Sequence, residues 1–361
     1  MSGPLTGVRI VELASIGPGP HAGMMLSDLG ADVVRVVRPD APESDFGGTF
    51  TVRGRTSVAA DLKDPADRAC VLDILDHADV LVEGLRPGVT ERLGLGPDVV
   101  LARNPRLVYA RMTGWGQSGP LATTAGHDIN YISLTGALNA VGPAAGPVPP
   151  LNLFGDYGGG SMFLVTGILA ALIERERRGA GQVLDVAMVD GVSALIQPIL
   201  ELRARGIWND ERANNLLDGG APFYRTYECQ DGKYIAVGAI EPQFYAELLR
   251  LLELDDRSLP DQNDRSGWPS LTKAIAAVVA TRTRDQWAEV FAGRDACVTP
   301  VLSFAEAPGH PHISARQALR DGPSGVTAAP APRFEGSSPA WSAEPTGTAG
   351  TLSGILGRWS A

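Results

Sequence analysis

Histidine is scarce in this sequence, five in 361 residues, and one of them stands beside an acid in Gly126-His127-Asp128-Ile129-Asn130-Tyr131. Imidazole is the side chain best suited to moving a proton near neutral pH. Spacing alone leaves open whether His127 does so or merely caps a helix or fills a core. A second carboxylate, Asp156, lies among glycines in Asn152-Leu153-Phe154-Gly155-Asp156-Tyr157-Gly158-Gly159-Gly160, ahead of a long apolar run. Glycines let backbone and substrate approach closely. An Asp near a helix start is equally a good cap. Glu241, between the strand-like run ending at Ile240 and Pro242, carries the same ambiguity. His310 and His312 flank Pro311 in a loop and read as solvated, and no metal cluster is evident.

Basic residues recur near the ends of predicted strands: Arg38, Arg53, Arg55, Lys63, Arg86 and Arg92. In an open α/β sheet ligands sit beyond the carboxyl ends of the strands. Arg and Lys gathered there suit a polyphosphate, although each alone reads as an ordinary surface charge. Gly17-Pro18-Gly19-Pro20-His21-Ala22 formally fits a dinucleotide-binding turn. That cradle works through backbone N–H groups, which Pro18 and Pro20 lack. The segment therefore reads as a tight strand-to-helix turn, not as a nicotinamide site.

The elements that must position these residues follow from periodicity. Runs 8–13, 33–37, 57–60, 80–83, 107–112 and 182–188 read as short strands, with helices expected over 21–29, 65–77 and 158–176. Strands alternating with helices predict a parallel, doubly wound sheet. The pattern then changes. Residues 198–220 read as a connector. Runs 224–228 and 233–239 around Gln230-Asp231-Gly232 read as a hairpin, and helices follow over 242–252, 271–280 and 284–291. Residues 320–350 look like an irregular arm, and a helix over 352–359 is too short to stand alone.

Composition sets outer limits. The chain is 44% hydrophobic and 20% charged, enough for a large core, and its length suggests roughly two domains. The net charge of −10 argues against non-specific nucleic-acid binding. Three scattered cysteines, no signal-peptide pattern and a longest apolar run of 162–173, too short for a bilayer, predict a cytoplasmic protein without membrane partners.

Taken together, these residues resemble the family III CoA transferases and racemases. The landmarks run in order: Ile10-Val11-Glu12-Leu13, Leu29-Gly30-Ala31-Asp32-Val33-Val34, Ala60-Asp61-Leu62-Lys63, Glu83-Gly84-Leu85-Arg86-Pro87-Gly88-Val89, Tyr109 to Gln117, Gly126 to Tyr131 and Gly155-Asp156. The resemblance covers nearly the whole chain and is weak only over 320–350. Transferases of the family use the aspartate matching Asp156 as a nucleophile and usually carry Tyr-Asp where this chain has His127-Asp128. Racemases carry His-Asp there and a glutamate matching Glu241. The resemblance thus implies interconversion of (R)- and (S)-2-methylacyl-CoA by two-base proton transfer through an enolate, with CoA transfer as the alternative.

On this resemblance His127, Asp156, Glu241 and Asp128 form the catalytic set, with Glu241 orienting His127. Backbone N–H groups of the glycine-rich segment are candidates to hold the enolate oxygen. Arg38, Ala60, Asp61, Leu62, Lys63, Gly84, Leu85, Arg86, Arg92, Gly126, Asn130 and Tyr131 match its CoA-contacting segments. No cofactor is implied beyond the CoA of the substrate. The implied fold is α/β: residues 1–190 with 315–361 as a Rossmann-like, CoA-binding domain with a parallel sheet, and 222–310 as a smaller α+β domain. Residues 191–221 and 311–330 act as linkers. Two chains are expected to interlock as a homodimer, each active site drawing on both.

Overall fold

A computed structural model describes residues 3–39, 49–254, 258–322, 325–336 and 348–360. The chain divides into two units, the larger made of Met1–Thr135, Leu151–Leu195 and Pro308–Ala361. Its strands are β1 (Arg9–Leu13), β2 (Asp32–Val37), β3 (Thr56–Ala59), β4 (Val80–Glu83), β5 (Val108–Thr113), β6 (Val183–Ala187) and β12 (Thr348–Gly350). They form one sheet in the order β12-β3-β2-β1-β4-β5-β6, every pairing parallel. The strand order reverses between β1 and β4, the crevice position at which doubly wound folds hold ligands.

Alternate strand residues serve two cores. Ile10, Val33, Val80 and Val108 pack with α1 (Pro18–Asp28) and α7 (Met162–Arg178) on one face. Val11, Val34, Leu81 and Tyr109 pack on the other with α2 (Pro65–Leu75), α4 (Pro97–Arg103) and α14 (Leu352–Ser360). Burial on both faces is why these strands read as continuous Val/Ile/Leu runs. The short helices α3 (Val89–Arg92), α5 (Asp128–Leu134) and α13 (Pro311–Arg316), with α8 (Met188–Leu195), complete this unit.

Helix α1 begins three residues before the expected start. Pro18 and Pro20 fall in its first turn, where a missing N–H costs nothing. Helix α7 is preceded by a π-helix over Leu153–Ser161, so the helical run reaches 26 residues and contains an 18-residue window of mean hydropathy 1.4. It is thus longer than the apolar run expected to be too short for a bilayer. Leu164 and Ile168 are wholly buried against the sheet, which makes this run a core element.

The expected irregular arm is partly ordered. Strands β10 (Leu319–Gly322) and β11 (Gly325–Ala328) pair antiparallel, and β12 extends the edge of the large sheet. Residues 337–347 of the arm lie outside the described ones. Helix α14 docks as its shortness requires: Trp359 Nε1 donates to Asp32 Oδ2 at 2.7 Å, and Arg358 Nη2 to Asp32 Oδ1 at 2.8 Å.

The smaller unit comprises Gly136–Pro150 and Ile196–Ala307. Strands β7 (Tyr224–Glu228), β8 (Tyr234–Gly238) and β9 (Val298–Pro300) form an antiparallel sheet covered by α10 (Pro242–Leu251), α11 (Trp268–Val279) and α12 (Arg284–Phe291). The hairpin and all three helices were expected. Helix α6 (Ala137–Ala140) and helix α9 (Gln197–Ala204) were not. The rest of the expected connector is folded around buried Asn215, whose Nδ2 donates to Asn209 O, Glu211 O and Asp218 Oδ2.

Candidate active site

A cavity of about 780 Å³ opens in the larger unit beyond the carboxyl ends of β1, β4 and β5. The loops leaving those strands supply its floor: Ser15–Gly19, Gly84–Pro87 and Met112–Trp115. His127 and Asp156 both line it.

His127 is the N-cap of α5, in extended conformation, with its ring exposed. Its backbone N–H donates to Asn130 Oδ1 at 3.0 Å, so Asn130 fixes the turn that presents the imidazole. Asp156 comes from the π-helix, a rare geometry found mostly at functional sites. Gly159 and Gly191 explain how that wide helix seats against α8: a Cβ on Gly191 would stand 1.9 Å from the Gly159 carbonyl oxygen. Gly17 closes the other side. Its φ of +69° suits glycine, and a Cβ there would press within 3.2 Å of Asp156 Oδ2.

Burial pushes the Asp156 carboxyl above its ordinary pKa, and the Asp128 charge adds to this. The Asn152 amide, donating to Asp156 Oδ2 at 3.1 Å, and nearby His127 pull the other way. A carboxyl raised toward the working pH gives and takes protons more evenly than an ordinary one. Nothing in the sequence marks Asn152 beyond its place four residues ahead of Asp156.

Asp128 is buried, and its carboxylate faces the backbone. Its Oδ2 accepts the N–H of Gly155 at 2.6 Å and of Asp156 at 2.7 Å. It is therefore a positioning residue that ties the His127 segment to the Asp156 segment. The same bonds occupy the N–H groups of Gly155 and Asp156, two of the donors expected in the glycine-rich segment for an enolate oxygen.

Of the expected CoA contacts, Gly84, Leu85, Arg86, Gly126 and Tyr131 line the cavity. Tyr131 donates its hydroxyl to Gly126 O and meets Trp115 edge-on at 4.8 Å. Arg38 follows β2, Ala60, Asp61, Leu62 and Lys63 follow β3, and Arg92 lies in α3, all outside the cavity lining but after strands at the same sheet edge. Asp61 Oδ1 accepts the Lys63 N–H at 3.0 Å, which shapes that turn. Arg38, Lys63, Arg86 and Arg92 are exposed and form no ion pair with any described residue. Arg53 and Arg55, read with them as phosphate ligands, are instead internal. Arg53 pairs with Asp28 and donates to Thr327 Oγ1 and Ala328 O, and Arg55 pairs with buried Glu12. A guanidinium committed to a buried carboxylate is not free for a ligand.

Glu83, buried at the end of β4, was read only as part of a landmark. It accepts the Leu85 N–H at 2.7 Å and Arg111 Nε at 2.9 Å, and so sets the Gly84–Arg86 turn. Glu241 belongs to the smaller unit, exposed at the N-cap of α10.

The profile of CoA-transferase family III matches residues 5–350. The mouse α-methylacyl-CoA racemase is 47% identical over 330 residues, 91% of this chain and 86% of the relative. The human α-methylacyl-CoA racemase is 45% identical over 313 residues, 86% and 81% of the two chains. A solved CaiB/BaiF family protein from Brucella suis superposes with a TM-score of 0.78 at 27% identity, over 93% of each chain.

Proposed function

The chain belongs to CoA-transferase family III, and from that membership we propose that it is an isomerase that racemises 2-methylacyl-CoA thioesters. The observation that carries this reading is His127 and a half-buried Asp156 with raised pKa on one cavity at the reversal of strand order. The α-proton of a thioester is weakly acidic. Racemisation requires one group to remove it from one face of the α-carbon and another to return a proton to the opposite face. His127 and Asp156 fill these two roles and exchange them with the direction of reaction. The alternative within the family, CoA transfer with Asp156 as nucleophile, is less favoured because His127 stands where transferases usually carry tyrosine. The racemase names of the mouse and human relatives support the same choice.

Solvent deuterium should enter the α-carbon from both pure enantiomers, and the product should approach a racemic mixture without any acceptor acid. Mass spectrometry with chiral analysis measures both. Movement of CoA to an added carboxylate with no exchange would sink the reading in favour of transfer.

We assign Arg38, Lys63, Arg86 and Arg92 to the nucleotide and phosphates of CoA, supported by their exposure and their lack of ion-pair partners among the described residues. Glu241 we assign to orienting His127 across an interlocked homodimer. The proton transfers call for no cofactor besides the CoA of the substrate. Arg38→Ala and Arg92→Ala should raise KM more than they lower kcat, because a remote handle contributes mainly uniform binding. Steady-state kinetics on acyl-CoA checks this, and an unchanged KM in both variants counts against the assignment.

A further inference from the structure

Helix α1 packs along the π-helix that carries Asp156, and its N-terminal turn meets that helix at three places. Gly17 stands against Asp156, as described above. A Cβ on Gly160 would stand 3.0 Å from Pro18 Cβ. His21, four residues past Gly17, touches the same run twice. Its Nδ1 shares a hydrogen bond with Ser161 Oγ at 2.6 Å, and its ring centre stands 4.6 Å from that of Tyr157. Ser161 is wholly buried, whereas Tyr157 lines the cavity, as Asp156 does. His21 is not among the residues lining the cavity. Burial, with the Arg53 guanidinium, holds the His21 pKa below its ordinary value, against the opposing charge of Asp28. The ring is therefore neutral near pH 7.

We infer that His21 is a positioning residue for Asp156, holding the π-helix to α1 through Ser161 and Tyr157 so that the carboxyl keeps its place in the cavity. This rests on the racemase reading above. The run has little local reason to keep its geometry. Four of its nine residues are glycines, the poorest helix formers after proline. A π-helix is also rare beyond a single turn. Contacts from outside must therefore hold the wide turn. Asp128 supplies them at the backbone of Gly155 and Asp156. His21 supplies them at Tyr157, one residue past Asp156, and at Ser161, the last residue of the run. Asp156 thus sits between two anchors. A ring outside the cavity lining does not carry the substrate's proton, so its effect reaches the reaction through Asp156.

The test is deuterium exchange at the α-carbon, scored on each pure enantiomer with the full chain. His21→Phe keeps a ring against Tyr157 and removes the hydrogen bond to Ser161. Exchange of the enantiomer that Asp156→Ala impairs should fall about ten- to a hundredfold, as for a small displacement of a catalytic group. Exchange of the other enantiomer, and KM, should stay within about twofold of wild type, because the loss is confined to one reacting group. Inversion should fall in both directions, since each needs Asp156. Ser161→Ala should reproduce this pattern, and the double variant should be no worse than either single one, because both remove the same bond. His21→Asn, whose amide can take the place of Nδ1, should recover most of the loss. Equal loss of exchange from both enantiomers, a rise in KM alone, or wild-type exchange in His21→Phe overturns the inference and leaves the racemase reading standing. No exchange from either enantiomer in the wild-type protein overturns both.

Discussion

Replacing His127 by Ala should nearly abolish inversion in both directions, by on the order of a hundredfold or more, as for loss of a general acid or base. Each direction needs one group as base and the other as acid, so neither survives. Exchange of the α-proton without inversion needs only the base on the face concerned. Residual exchange in His127→Ala should therefore persist for the enantiomer whose proton faces Asp156. Asp156→Ala should show the opposite preference. Glu241→Gln should be milder, since both proton carriers remain. The measurement is deuterium exchange scored separately from inversion, on each pure enantiomer. Equal loss of exchange from both enantiomers in both variants would falsify the two-face assignment and leave a single base.

The second large effect falls on a residue that need not touch substrate. Asp128→Ala removes the acceptor for two backbone N–H groups, those of Gly155 and Asp156. Charge-assisted hydrogen bonds of this kind are worth roughly 1.5–3 kcal/mol each, so the loss should be about 3–6 kcal/mol of stability. Asp128→Asn keeps a neutral oxygen in place and should lose about half as much. Inversion should fall in step with the loss of fixed geometry around Asp156. Urea unfolding followed by circular dichroism gives the stability change. An Asp128→Ala protein as stable as wild type would mean that the carboxylate does not hold the π-helix.

The parallel sheet and six of its strands, helices α1, α2 and α7, and the hairpin and helices α10, α11 and α12 of the smaller unit were legible because their periodicities are long and their turns carry Gly, Pro and Asp. Strand β12 and the strand order were not. His127 and Asp156 were legible as candidates because each stands out by type in its surroundings. Their common cavity was not, since it depends on loops after three separate strands. The π-helix has no local signature, and the sequence suggested an ordinary cap for Asp156. Arg53 and Arg55 were misread because charge near a strand end looks alike whether it meets water or a buried carboxylate. Asp28, Glu12 and the β10–β11 hairpin decide that, and they are distant in sequence or unremarkable by type.

The pairing of β12 with β3 also sets a schedule for synthesis. Thr56 and Thr348 are register partners roughly 290 residues apart, a delay of about 15–60 s at ordinary rates of translation. Until then β3 presents an unpaired edge, the kind of surface that recruits other chains. The smaller unit is encoded almost entirely by one stretch ahead of β12 and can gather its core in that interval. The nascent protein therefore spends its riskiest period with one half formed and the other waiting, which makes early chaperone cover a condition of good yield.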